Sequence, residues 1–176
     1  MIGLIVEGQS DYEFFRRLCE RLRLRTKVRV ANGGKIFDED QVATLCEVLL
    51  SDGCRRVVVI VDEHCNDERK QSAYRLREYL REQFGKQVSV FLLRYAFETW
   101  VLADPNLVGA NITNPENPKY CRPNKVLNHL LRKHRGAPYL KAPNRVRSFA
   151  DQLDIKLAQQ RCSSFRDFKR LLGLHP

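Results

Sequence analysis

The sequence lacks any apolar run approaching the roughly 20 residues that a membrane-spanning helix requires, and no membrane partner is expected. Its first seven residues have no basic stretch and reach Glu7 too soon for a secretory leader, which predicts a cytoplasmic protein. Paired cysteines at metal or redox spacing are missing as well. Cys19, Cys46, Cys54, Cys65, Cys121 and Cys162 are scattered, form no C-x-x-C pair, and mostly fall among apolar residues of helical pattern, so buried reduced thiols are expected. There is no phosphate-binding G-x-x-x-x-G-K-S/T loop, since Gly33-Gly34-Lys35 has no first glycine at the required spacing. The chain is therefore not itself an ATPase. Internal repeats are absent too.

Acidic residues are missing from one long stretch. Residues 119–150 contain nine Lys or Arg and no Asp or Glu, and removing those nine from the 31 basic residues leaves 22 against 21 acidic ones elsewhere. A nearly neutral body thus carries one basic segment, the footprint of a surface that meets phosphates, with a merely solvated face as the alternative. Lys119, Arg122, Lys125, Arg132, Lys133, Lys141, Arg145 and Arg147 are the candidate nucleic-acid contacts. Tyr120 and Tyr139 lie among them, available either to stack on bases or to pack in the helical layer.

What is present is a chain of 176 residues, 43% hydrophobic and 30% charged, long enough for one substantial core and short for two domains. Residues 2–6 form a continuous apolar run ending at Glu7-Gly8, as in a central parallel strand covered on both faces. A helix follows to about Arg25, with Ser10 and Glu13 at capping-box spacing and Phe14, Phe15, Leu18, Cys19 and Leu22 on one face. Residues 27–31 read as a second strand, closed by a turn at Asn32-Gly33-Gly34. Asp38 or Asp40 caps a helix that Gly53 stops. Residues 57–61 are five β-branched residues in a row and deliver Asp62, the strongest strand signal in the chain. Asp67 or Ser72 then starts a helix closed by Gly85, and residues 88–93 make a fourth strand.

These alternations predict an α/β fold, an open, mostly parallel four-stranded sheet over residues 1–95. An α-helical C-terminal extension over residues 96–176 is expected to pack on it as part of a single globular unit. Its helices are predicted at 97–103, 123–134, 145–160 and 164–172. Residues 106–123, rich in Asn and Pro, read as an exposed and mobile loop.

In such a sheet ligands bind beyond the carboxyl ends of the strands where the winding reverses, and the first and third strands commonly flank that point. Glu7 and Asp62 both sit there. Carboxylates brought that close call for a cation, and Mg²⁺ is the usual one. For Asp62 taken alone, capping the next helix is the competing use.

The same residues carry a resemblance. The run Ile5-Val6-Glu7-Gly8-Gln9-Ser10-Asp11 resembles the first motif of the Toprim fold, a Rossmann-like arrangement. Val58 to His64 resembles its second, a hydrophobic strand followed by Asp-x-Asp. The resemblance implies that Glu7 and Asp62 bind Mg²⁺ near a phosphodiester. The family's second Asp falls on His64, which suits a transition metal such as Mn²⁺ better than Mg²⁺, with Glu63 and Asp67 near enough in sequence to substitute. Phe97-Glu98-Thr99-Trp100-Val101-Leu102-Ala103-Asp104 resembles a helix of a small stand-alone Toprim-like family of unassigned function, related to nucleases of the overcoming-lysogenization-defect type. Its Glu there implies that Glu98 faces the metal, while a plain helix-capping role is the alternative. The closing residues 163–168 are similar to that family's last helix.

The resemblance implies a metal-dependent nuclease acting on DNA or RNA, in phage defence or plasmid restriction beside a partner ATPase. Two other readings compete: a non-catalytic nucleic-acid-binding module with a decayed site, and a small-nucleotide phosphohydrolase. A topoisomerase is excluded by length, because strand passage needs further domains.

Overall fold

In a computed structural model, which describes residues 1–31 and 34–174, the chain forms a four-stranded sheet sandwiched between helices. The strands are β1 (Ile2–Val6), β2 (Thr26–Val30), β3 (Arg56–Asp62) and β4 (Val88–Leu93), all parallel, in the order β2-β1-β3-β4. From β1 the chain winds outward to β2, then returns across β1 to build β3 and β4 on the other side. The reversal falls between β1 and β3.

The continuous apolar runs are explained by layers on both faces. Leu4, Val6, Val58 and Ile60 point to one side, into a core with α1 (Gln9–Arg21) and the C-terminal helices. Ile5, Val57, Val59 and Val61 point to the other, against α2 (Glu39–Ser51) and α3 (Asp67–Phe84). Alternation of side chains along a strand divides one hydrophobic run between two cores. Gly3 lets α2 cross close to β1, since a Cβ there would stand 3.0 Å from the Leu49 side chain.

Helix boundaries follow local capping. Asp38 accepts the Gln41 N–H at 3.1 Å and starts α2. Asn66, one residue before the predicted start, accepts from Glu68 and caps α3, while Gly85 ends that helix in the left-handed region at φ 58°. The helix at α1 departs from expectation: Gly8 precedes it without a side-chain cap, and Ser10 instead donates to the Lys141 carbonyl at 3.0 Å. Asn32 and Gly33 of the predicted turn lie outside the described residues; Gly34 has φ 72°.

The extension contains α4 (Glu98–Leu102), α5 (Pro105–Val108), α6 (Pro123–Arg135), α7 (Pro143–Gln152), α8 (Ile155–Arg161) and α9 (Ser163–Leu171). The helix expected over 145–160 is two. Leu153 leaves the helical region, Asp154 caps α8 by accepting from Lys156 and Leu157, and Arg21 holds the freed carbonyls of Ala150 and Leu153 at 2.7 and 2.8 Å. The segment 106–123, expected to be a mobile exposed loop, is pinned instead. Leu107, Val108 and Ile112 are buried, and the Glu116 carboxylate caps α9 by accepting from the Ser163 and Ser164 N–H groups at 2.8 and 2.9 Å. Its Asn and Pro residues form caps and tight turns, such as Asn117 accepting from Lys119 at 3.1 Å.

Trp100 ties the extension to the body. It is wholly buried among Phe14, Phe15, Phe165 and Phe168, and its indole N–H donates to Ser164 Oγ at 2.8 Å. Four of the six cysteines are buried; Cys65 is exposed and Cys121 half-buried, and all are free. Among the described residues, no helix is long and apolar enough to cross a membrane.

Candidate metal centre

The parallel ladder sets Glu7 and Asp62 side by side. Glu7 follows the last residue of β1, and Asp62 is the last residue of β3, the strand paired to it. A carboxylate so placed gains its position from two hydrogen-bonded strands, not from a loop. His64 joins them: one ligand atom from each of Glu7, Asp62 and His64 lies within 4.8 Å of the others. The imidazole Nε2 is 3.6 Å from Asp62 Oδ2.

The loop that delivers His64 is strained. His64 and Cys65 have φ of 51° and 52°, and Tyr95 on the neighbouring strand's loop has 63°. Left-handed backbone at consecutive residues with a Cβ is unfavourable and is held only by its surroundings. Here the Glu63 N–H donates to the Leu93 carbonyl and the His64 N–H to the Tyr95 carbonyl, both at 3.0 Å, extending the β3–β4 pairing past the strand ends.

Two further carboxylates face this point. Asp11 lies one helical turn after Glu7, and Gly8 makes room for it, because a Cβ at Gly8 would stand 3.3 Å from Asp11 Oδ2. Glu98, at the start of α4, is 0% exposed. Asp11 Oδ1 and Glu98 Oε2 are buried without a hydrogen-bond partner, which is costly unless something bound completes them. The other Glu98 oxygen accepts the Tyr139 hydroxyl at 2.9 Å.

Two cations partly balance the acids. Lys141 Nζ lies 3.5 Å from Glu98 and 3.8 Å from Asp11, and also 5.0 Å from the centre of the Phe97 ring. Arg69 donates to Glu7 Oε2 at 2.6 Å and to the Asp62 carbonyl at 2.9 Å, with its guanidinium over the Phe37 ring. Four carboxylates, Glu7, Asp11, Asp62 and Glu98, thus share two cations.

The titration behaviour follows from this crowding. Burial, then the neighbouring Asp11, Glu98 and Glu7 carboxylates against the opposing Lys141, push Asp62 well above the usual carboxylate range. Burial raises Asp11 as well, with Lys141 opposing and Glu7 adding. His64 is lowered by burial and by Arg69 and Lys141, which keeps its imidazole neutral and able to ligate. For Lys141 burial acts downward, but Glu98, Asp11 and Asp62 outweigh it and the ammonium is held charged. Burial and Glu98 drive the Tyr139 hydroxyl upward, so it serves as a donor to Glu98 and not as a nucleophile.

Of the sequence-predicted ligands, Glu7, Asp62 and His64 converge, and Glu98 lines the adjoining cleft beside His64. Glu63 and Asp67 do not. The Glu63 carboxylate turns to Lys70 at 2.9 Å, and Asp67 is 89% exposed in the first turn of α3, also paired to Lys70. Their separation is physical: alternation puts Glu63 on the face opposite Asp62, and the cap at Asn66 turns Asp67 outward. The basic segment divides similarly. Lys141 lines the cleft of about 390 Å³ that holds Glu7, Asp11, Asp62 and His64, and Arg122 and Lys125 line an adjoining one of about 220 Å³ with Glu98. Lys119 lies over the Tyr120 ring, and Arg132 and Lys133 are exposed in the last turn of α6, roughly two helical turns beyond Lys125. Arg145 and Arg147 belong to α7, which packs along α1.

Sequence reasoning missed Asp11 and Arg69 as parts of the site. Asp11 was visible as the Asp opening the helix after Glu-Gly, and its spacing of four from Glu7 is the signal that returns it to the strand end. Arg69 gave none, since one arginine in a helix rich in charge looks like its neighbours.

Residues 6–172 match a family described as a domain of unknown function, DUF4276. No curated protein and no solved structure matches the chain.

Proposed function

The chain belongs to the DUF4276 family, and we propose that it is a metal-dependent nuclease, processing phosphodiesters of DNA or RNA with Mg²⁺ or Mn²⁺. The observation that carries this reading is the convergence of Glu7, Asp62 and His64 within 4.8 Å at two adjacent strand ends. Asp11 Oδ1, which faces Lys141 at 3.8 Å, and Glu98 Oε2, both buried and without a hydrogen bond beside them, fit a bound cation.

A divalent ion held by Glu7, Asp62 and His64 would supply Lewis acidity to a phosphate oxygen and a more acidic bound water. The remaining roles fall to the chain's own groups. Arg69 orients Glu7 by a 2.6 Å hydrogen bond, and Tyr139 fixes one oxygen of Glu98. Lys141, in the same cleft, is a fixed positive charge where a transferring phosphate gains negative charge. Arg122 and Lys125 flank it as backbone contacts, with the outlying basic residues adding salt-dependent attraction. From the resemblance alone, the proposal extends to a partner ATPase and a role in phage defence or plasmid restriction.

Incubation of plasmid, single-stranded DNA and RNA with Mn²⁺ or Mg²⁺ tests this. Cleavage by the wild type is expected to fall at least about 100-fold in Glu7→Gln and Asp62→Asn. Salt-sensitive binding without cleavage would replace the nuclease with a binding module, and turnover of mononucleotides alone would replace it with a small-nucleotide phosphohydrolase.

A further inference from the structure

His64 is the third group of the centre, with one ligand atom from each of Glu7, Asp62 and His64 within 4.8 Å of the others, and the carboxylates nearest it in sequence do not take its place. Glu63 is held by Lys70 and Asp67 faces solvent. The backbone adopts two consecutive left-handed residues, pinned by the Tyr95 carbonyl, with the imidazole beside Glu7 and Asp62. Strain kept at one point of a cleft marks a residue whose placement matters there. Glu98 Oε2, buried and without a hydrogen-bond partner in the adjoining cleft that His64 also lines, independently points to a bound cation.

Ligand chemistry narrows the ion. Mg²⁺ is hard, dehydrates reluctantly and takes oxygen ligands in near-ideal octahedra. An imidazole favours first-row transition ions, whose affinities for mixed nitrogen and oxygen sites rise along the series from Mn²⁺. We infer that the centre of Glu7, Asp62 and His64 takes a single first-row transition ion in preference to Mg²⁺, and that His64 makes the choice. This rests on the metal-dependent reading above and adds which ion that site selects.

The test loads the full chain with Mn²⁺ as the probe and Mg²⁺ as its competitor. Calorimetry is expected to give one Mn²⁺ per chain, bound at least about tenfold more tightly than Mg²⁺. Pulsed paramagnetic resonance of the Mn²⁺ form is expected to show coupling to an imidazole nitrogen. His64→Asp restores an oxygen ligand, so it should lose the nitrogen coupling and bring the Mn²⁺ to Mg²⁺ affinity ratio toward unity. His64→Asn serves as a second variant, and both residues tolerate left-handed backbone, so the loop should keep its shape. Should either variant fail to fold, the wild-type nitrogen coupling and affinity ratio still decide. Equal affinity for the two ions, or bound Mn²⁺ without nitrogen coupling, overturns this inference and leaves the nuclease reading standing. Binding of neither ion overturns both.

Discussion

Residues 1–95 and residues 96–174 supply the cleft in different ways. The sheet body brings Glu7, Asp11 and Asp62 by short-range means: strand ends in a parallel ladder and one turn of helix after the first of them. The extension brings Glu98 and Lys141 by long-range packing, with Lys141 reaching Asp11 across 130 positions of sequence. Ladder hydrogen bonds set the register of the strands that end at Glu7 and Asp62, whereas the lysine is placed only by the docking of the extension. The body thus holds the three candidate ligands, and the extension adds charge around them.

The comparison breaks most completely at Trp100, which joins the two regions. Trp100→Ala removes a wholly buried side chain from a cluster of four phenylalanines and leaves Ser164 Oγ without its donor. A loss of about 3–5 kcal/mol is expected in urea unfolding. Two separated transitions, with the body retaining its stability, would show that the regions fold independently.

A smaller effect is expected at Lys141. In Lys141→Met the fold should survive while the cleavage proposed above drops about 10–100-fold, because the buried Asp11 and Glu98 carboxylates lose their common counter-ion. The metal affinity should rise or stay constant, since a competing positive charge has gone. A variant that cleaves normally would remove the extension's charge from the chemistry.

The smallest effect concerns Glu116, which holds the extension's own last helix. Burial opposes its ionisation, but the Ser163 and Ser164 donors outweigh it and hold the carboxyl below its ordinary value of 4.5. A depressed folded value means that its stabilisation is fully present above about pH 4.5 and fades as the pH falls through that lower value. Glu116→Ala should therefore cost about 1–2 kcal/mol at neutral pH, the range for a lost helix cap, with the gap to wild type closing in acid. A gap that does not change with pH would assign the cost to packing instead.

Much of the body was legible. The β-branched run at residues 57–61 could satisfy its backbone and bury both faces only as a central strand, and Asp38 and Gly85 mark helix ends by chemistry that acts within a few residues. The extension was read less well. The predicted helix over 145–160 breaks because Arg21, from α1, satisfies the carbonyls at the break, a partner over a hundred residues away. The Asn and Pro of residues 106–123 signal irregular backbone correctly but carry no information about Glu116 anchoring that backbone to α9.

The site divides along the same line. That Glu7 and Asp62 terminate buried strands follows from the sequence alone, because hydrophobic patterning fixes strands and the parallel fold fixes which ends meet. Which neighbours join them was decided by tertiary structure. Glu63, His64 and Asp67 were equivalent by proximity in sequence, and only the left-handed turn at His64, the Lys70 pair and the Asn66 cap separate them. The basic segment was evident from its lack of acids, yet the placing of Lys141 at the carboxylates, with Arg132 and Lys133 left in the last turn of α6, depends on how α6 and α7 pack. Local patterning determines where a side chain stands on its own element; only the packing of distant elements determines what it faces.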